Sequence, residues 1–300
     1  MKKVIVIVGP TGVGKTKLSI ALAKEFSGEI INADSTQVYK GLDIATAKVT
    51  EKEKEGISHH LFDIKKVEED YTVYHYQMDA REKIDDILCR HKRPIMVGGT
   101  GLYIKACLYD YQLGSEVKNN LYSELSDEVL YQKLKAVDPN TTIHQNNRKR
   151  VIRALNYYEE TGCPLSLKEI AEEPLIPFIL IGLTTDRALL YERINNRVDE
   201  MLENGLLQEA FDIYQSQIRT KAIMTPIGYK ELFPYFEHNI TLEEAVNQIK
   251  QSSRRYAKRQ YTWFRHQMDV QWFDVDFDHF DQTIKEVIAF IKIEDEKKNS

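Results

Sequence analysis

The chain has 300 residues, 42% hydrophobic and 29% charged, with a net charge of -5 at pH 7. That is enough for one large domain or two unequal ones with a sizeable core, and it argues against a basic protein overall while leaving room for a local basic face. The three cysteines, Cys89, Cys107 and Cys163, form no Cys-x-x-Cys pair, and no apolar stretch approaches the length of a membrane span or a signal-peptide core. A cytoplasmic protein from a reducing compartment, with no membrane partner and no four-cysteine zinc site, is expected.

Val4-Ile5-Val6-Ile7-Val8 is a continuous β-branched run, the mark of a strand covered on both faces of a parallel sheet. A glycine-rich loop follows, and then Leu18, Ala21, Leu22 and Phe26 recur at helical spacing until Ser27-Gly28. Glu29-Ile30-Ile31-Asn32 reads as a second strand, parallel to the first because a helix crosses between them. Pro94-Ile95-Met96-Val97 reads as a third, running into Gly98-Gly99-Thr100-Gly101, and Phe178-Ile179-Leu180-Ile181 as a fourth. Residues 111–174 carry helical patterns and no strand; Val151, Leu155 and Tyr158 share a helix face that Gly162 and Pro164 terminate. This segment is either a helical insertion or a set of crossover helices of the main sheet. Long helical stretches are expected over 187–214 and 242–267, then a short strand, Val270-Gln271-Trp272-Phe273, and a closing helix. The expected fold class is α/β, with a parallel sheet and flanking helices.

Gly9-Pro10-Thr11-Gly12-Val13-Gly14-Lys15-Thr16 matches the phosphate-binding P-loop pattern between a strand and a helix. Glycines let backbone N–H groups curl around an anion, the helix N-terminus adds partial positive charge, Lys15 supplies a cation, and Thr16 can ligate Mg²⁺. Kinases, NTPases and other diphosphate users share this loop, so it does not say whether ATP or another diphosphate sits in it. Ligands of a parallel sheet gather at the carboxyl ends of the strands, which puts Asp34 beside the loop as a metal ligand, a general base or a helix cap. Thr100 reaches the same edge from the third strand.

From Ala245 to Met268 there is no acidic residue, and Lys250, Arg254, Arg255, Lys258, Arg259 and Arg265 alternate with Tyr256, Tyr261, Trp263 and Phe264. A second basic cluster is Arg148, Lys149, Arg150 and Arg153. Either is a solvated helix face or a surface that neutralises phosphates and stacks bases. Two such clusters in an acidic chain favour a polyanionic partner.

These residues resemble one family, the tRNA dimethylallyltransferases (tRNA isopentenyltransferases) of bacterial type. Besides the P-loop, the matching segments are Asp34-Ser35-Thr36-Gln37-Val38-Tyr39, Thr46-Ala47-Lys48, Val97-Gly98-Gly99-Thr100-Gly101-Leu102-Tyr103, Arg153-Ala154-Leu155, Arg197-Val198-Asp199-Glu200, Ile227-Gly228-Tyr229-Lys230 and Tyr256-Ala257-Lys258-Arg259-Gln260, in family order along almost the whole chain. Departures such as Ala45, Val49 and Asn147 fall away from the proposed chemistry.

The resemblance implies a P-loop nucleotide-kinase-like core over 1–110 and 175–300, with a helical insertion domain over 111–174 that contacts tRNA. It implies transfer of a dimethylallyl group from dimethylallyl diphosphate to the exocyclic N6 amine of the adenosine 3′ of the anticodon, with Mg²⁺ and release of diphosphate. Asp34 would accept the amine proton, Thr100 would orient Asp34 or the diphosphate, and Arg197 would join residues 9–16 at the leaving group. Thr16 would hold Mg²⁺. The anticodon stem-loop would meet Asp34, Ser35, Thr36, Gln37 and Thr100 in the pocket, with Gln37 reading the base. Its backbone would meet Lys118, Lys149, Arg150, Val151, Ile152, Arg153, Arg255, Lys258 and Arg259. A monomer is expected. A small-molecule or nucleoside kinase, and an RNA-binding protein without catalysis, are the alternatives.

Overall fold

The computed structural model describes residues 2–110, 122, 124–167 and 173–297. Lys118 lies outside the described residues. The chain divides into two compact units, Met1–Tyr109 with Pro174–Ser300, and Asp110–Glu173.

In the first unit, six parallel strands form one sheet: β1 (Val4–Val8), β2 (Gly28–Asn32), β3 (His59–His60), β4 (Arg93–Val97), β5 (Phe178–Thr184) and β6 (Gln271–Asp274), in the order β3-β2-β4-β1-β5-β6. Every residue of β1 is buried, as its unbroken apolar run requires of a central strand. The period-two alternation divides the core. Val4, Val6 and Val8 pack on one side of the sheet, and Ile5 and Ile7 on the other.

Helix α1 (Lys15–Phe26) follows the glycine-rich loop and supplies Leu18, Leu22 and Ala23 to the Ile5 side. The short α2 (Glu51–Lys54) carries a capping box between Thr50 and Glu53. Helix α3 (Val73–Cys89) packs Tyr76, Ala80, Ile84 and Ile87 on the Val4 side, where α4 (Gly101–Leu108) also lies. The expected 187–214 helix is two, α7 (Arg187–Glu203) and α8 (Leu206–Gln215), because Gly205 between them takes a φ of 101°. Two short helices, α9 (Lys221–Met224) and α10 (Tyr229–Phe236), precede α11 (Leu242–Gln267), which has the span expected. Helix α12 (Phe280–Glu296) closes the chain on the Ile5 side. No helix among the described residues is long and apolar enough to cross a membrane.

The second unit pairs α5 (Asp127–Val137) with α6 (Arg148–Thr161). Its own core is Tyr122, Leu130, Leu134, Val151, Ala154 and Leu155. Asn147 caps α6, and Gly162, at φ 68°, ends it.

Candidate active site

Three strand ends converge on one edge of the sheet. Ile7 pairs in register with Val97, and Val97 with Asn32, so the segments that follow β1, β4 and β2 leave the sheet side by side. They are the P-loop, Gly98 to Thr100, and Asp34. Close packing requires glycine at Gly98, where a Cβ would stand 2.2 Å from the Ala33 backbone. The convergence lines a cleft of about 1030 Å³ whose walls include Lys15, Thr16, Asp34, Gln37, Arg197 and Gln260.

Lys15 Nζ donates to the carbonyls of Gly9 at 3.0 Å and Pro10 at 2.7 Å within its own loop. Burial first, and then the Arg197 guanidinium, push its pKa down to about 7; the Asp34 carboxylate opposes them. Arg197, on α7, donates to Thr11 Oγ1 at 2.6 Å. Among the described residues it forms no ion pair. Burial lowers its pKa too, yet a guanidinium stays charged. Lys15 and Arg197 thus share one electrostatic environment, and among the described residues neither forms an ion pair. Gly12 is reached from α7 by Arg193, whose Nε donates to its carbonyl at 3.1 Å. Val13 is fully buried, and Thr16 opens the first turn of α1 with an exposed side chain.

Asp34 Oδ1 accepts from the Thr36 N–H at 2.9 Å and the Thr36 hydroxyl at 2.7 Å. Its own N–H donates to Asn32 Oδ1 at 2.9 Å. These bonds hold the carboxylate in one orientation and leave Oδ2 without a partner among the described residues. Thr100 does not touch that carboxylate. Its Oγ1 accepts from the Ser35 N–H at 3.0 Å, and it donates to Ser35 Oγ at 3.3 Å, so it holds the turn that presents Asp34. Gln37 spends its Nε2 on the carbonyls of Thr46 (2.9 Å) and Ala47 (3.3 Å).

Sequence reasoning assigned no role to Gln260, although it ends one of the quoted motifs. It is 5% exposed. Its Oε1 accepts from the Thr11 N–H at 3.3 Å and its Nε2 donates to the Gly99 carbonyl at 3.2 Å. One amide of α11 thus ties the P-loop to the loop after β4. The only sequence signal was a polar residue on the buried face of an amphipathic helix.

The two basic clusters divide by what their members touch. On α11, Lys250 pairs with Asp199, and Arg254 donates to Asn195 Oδ1 at 2.6 Å, so both pin α7. Arg255, Lys258 and Arg259 are exposed and make no ion pair among the described residues; Arg255 and Arg259 also line the cleft. On α6, Arg148 pairs with Asp127 and donates to the Leu125 and Tyr122 carbonyls, closing its own unit. Lys149, Arg150 and Arg153 are exposed, and Ile152 is half-buried. Val151, at 1% exposure, places its side chain in the core of the unit.

Comparison with known proteins agrees with this geometry. A family model described as IPP transferase matches residues 37–267. The tRNA dimethylallyltransferase of Anoxybacillus flavithermus is 51% identical over 300 residues, covering 97% of this chain and 96% of that protein. That of Enterococcus faecalis is 52% identical over 287 residues, covering 92% of each. The crystal structure of the full-length tRNA isopentenylpyrophosphate transferase of Bacillus halodurans aligns over 100% of both chains, with a TM-score of 0.75 and 41% identity. A eukaryotic dimethylallyltransferase acting on tRNA aligns over 96% of this chain and 78% of its own, with a TM-score of 0.85 and 32% identity. On its sheet, its cleft and these likenesses, the chain belongs to the IPP transferase family.

Proposed function

We propose that this protein transfers a dimethylallyl group from dimethylallyl diphosphate to the N6 amine of the adenosine 3′ of the anticodon in tRNA. The observation that carries the reading is one cleft that holds two cations, Lys15 and Arg197, and a carboxylate oxygen, Asp34 Oδ2, none of which has an ionic or hydrogen-bonded counter-group of opposite charge among the described residues. The names of the relatives support the same reaction.

The diphosphate lies in the loop of residues 9–16, against the N–H groups from Gly12 to Thr16, with Lys15 and Arg197 on its oxygens. The adenine nitrogen attacks the allylic carbon, the carbon–oxygen bond breaks, and its electron pair leaves on the diphosphate. The proton lost from nitrogen goes to Asp34. Because an exocyclic amine is a weak nucleophile, alignment contributes as much as basicity. Thr36 and Thr100 provide it by fixing the Asp34 turn. Among the described residues no group of three His, Cys, Asp or Glu side chains forms a metal site. The Thr16 hydroxyl, with diphosphate oxygens and water, fits the oxygen-rich shell of Mg²⁺, which when bound would neutralise leaving-group charge. The target base has to leave the anticodon-loop stack to enter the cleft. Arg255, Lys258 and Arg259, and on the second unit Lys149, Arg150 and Arg153, supply cations for the RNA backbone.

The test uses isotope-labelled dimethylallyl diphosphate, Mg²⁺ and an unmodified tRNA with adenosine at that position. Label in the RNA, with diphosphate released, is expected. Consumption of ATP with some other acceptor and no label in RNA would make the protein a kinase; RNA binding without either would make it a binding protein.

A further inference from the structure

Glu209, on α8, is a carboxylate that the transfer chemistry does not use. It accepts from the N–H groups of Asp43 (3.0 Å), Ile44 (2.9 Å) and Ala45 (3.0 Å), and the Tyr229 hydroxyl donates to it at 2.8 Å. Charge-assisted bonds of this kind are stronger than neutral ones, and together they satisfy the carboxylate without a cation. Burial, and then Glu209 itself, push the Tyr229 pKa up, so its hydroxyl remains a donor. The segment held this way is over-determined. Ala47 sits at φ 48°, a conformation that a non-glycine residue keeps only when its surroundings impose it. Lys48 binds Asp43, Asp63 and the Tyr39 carbonyl.

The carbonyls of Thr46 and Ala47 in this segment take the Nε2 of Gln37. Two carbonyl oxygens on one side of an amide decide its orientation, because a flip would set Oε1 against two acceptors. Gln37 lines the cleft, and its Oε1 has no partner among the described residues. An amide left only its acceptor takes a donor from a base: the exocyclic amine of adenine, and not the keto oxygen of guanine or hypoxanthine.

We propose that Glu209 and Tyr229 are positioning residues that, through residues 43–47, lock Gln37 as a hydrogen-bond acceptor and so make the cleft select a purine bearing an amine at C6. This rests on the transfer reaction proposed above.

The test measures binding, without prenyl donor, of anticodon stem-loops that carry adenosine, purine riboside or inosine at the target position. The wild-type protein is expected to bind adenosine roughly three- to tenfold more tightly than purine riboside, and to discriminate further against inosine. Glu209→Gln, which sets an NH₂ among backbone N–H groups, brings the ratios close to one; Tyr229→Phe lowers them in part. Gln37→Leu alone abolishes the preference, and adding Glu209→Gln to it changes nothing, since both act through one amide. Affinity for inorganic diphosphate stays at the wild-type value throughout. A Glu209→Gln protein that binds diphosphate normally and keeps the wild-type ratios overturns the proposal, as does further loss of preference in the double variant. If Glu209→Gln does not fold, an unchanged ratio in Tyr229→Phe overturns it. A wild-type protein that binds the stem-loops without preference overturns it too. Failure of the transfer reading looks different: wild-type protein then gives no labelled tRNA.

Discussion

Lys15 carries the clearest pH signature of the site. Its ordinary pKa of 10.5 is pushed down to about 7 in the free protein by burial and by Arg197. A bound diphosphate reverses the balance and restores the protonated form. Binding above pH 7 therefore takes up a proton, and affinity falls as pH rises from there, by up to about tenfold per unit. Calorimetry of dimethylallyl diphosphate binding at pH 8, in buffers of different ionisation enthalpy, should show this uptake, and Lys15→Met should abolish it. Asp34 makes a separate prediction. Asn at this position keeps an Oδ1 for Thr36 but cannot accept a proton, so Asp34→Asn should lower the transfer rate by about 10²–10⁴-fold while the tRNA dissociation constant holds. Full activity in that variant would remove Asp34 as the base. The identity of both residues was legible from the P-loop pattern and the position after β2. The contact that Thr100 makes was not. Its bond to Ser35 joins side chains 65 residues apart, which no local pattern encodes.

At the scale of the element, α11 shows how one helix serves two purposes. Its buried face, with Ile249, Ala257, Gln260 and Phe264, packs on the core and ties the P-loop to Gly99. Part of its basic face is spent on α7, through Lys250 and Arg254. Arg265 lies over the Tyr261 and Trp272 rings, and Arg255, Lys258 and Arg259 remain for a polyanion. Arg255→Ala with Arg259→Ala should weaken tRNA binding and reduce the slope of log affinity against log salt by roughly one for each lost phosphate contact. The same substitutions at Lys250 and Arg254 should instead loosen α7. An unchanged slope in the first pair would return the helix to a solvated surface. The boundaries of α11 were legible because its acidic first turn, its capping box at Thr241 and its apolar periodicity agree. Helix α3 had the spacing, Tyr76, Ala80, Ile84 and Ile87, but its many charged residues obscured it. The two-residue β3 has no pattern at all; it exists because β2 offers an edge on which to pair.

Across the first unit, the P-loop depends on the far end of the chain. Phe280, at the start of α12, packs against Gly14 so closely that a Cβ there would lie 2.6 Å from its ring. Arg193 bridges the Gly12 carbonyl and the Phe277 ring, 3.7 Å away. Phe280 is 4% exposed, so Phe280→Ala should cost about 3–5 kcal/mol of stability in urea unfolding and also weaken diphosphate binding, because the cavity opens under the loop. Stability loss with unchanged diphosphate affinity would show that the loop supports itself. By itself the sequence determined the parallel sheet, the P-loop and the edge where Asp34 and Thr100 meet it, since each follows from short-range pattern: a β-branched run, a glycine spacing, the carboxyl end of a strand. Only the tertiary structure decided which cations are free, that Gln260 joins two loops, that Val151 faces inward, and which half of the Gln37 amide a base would meet. Those outcomes depend on partners as much as 249 residues away, and a side chain's role is set by the atoms that have already claimed its hydrogen bonds.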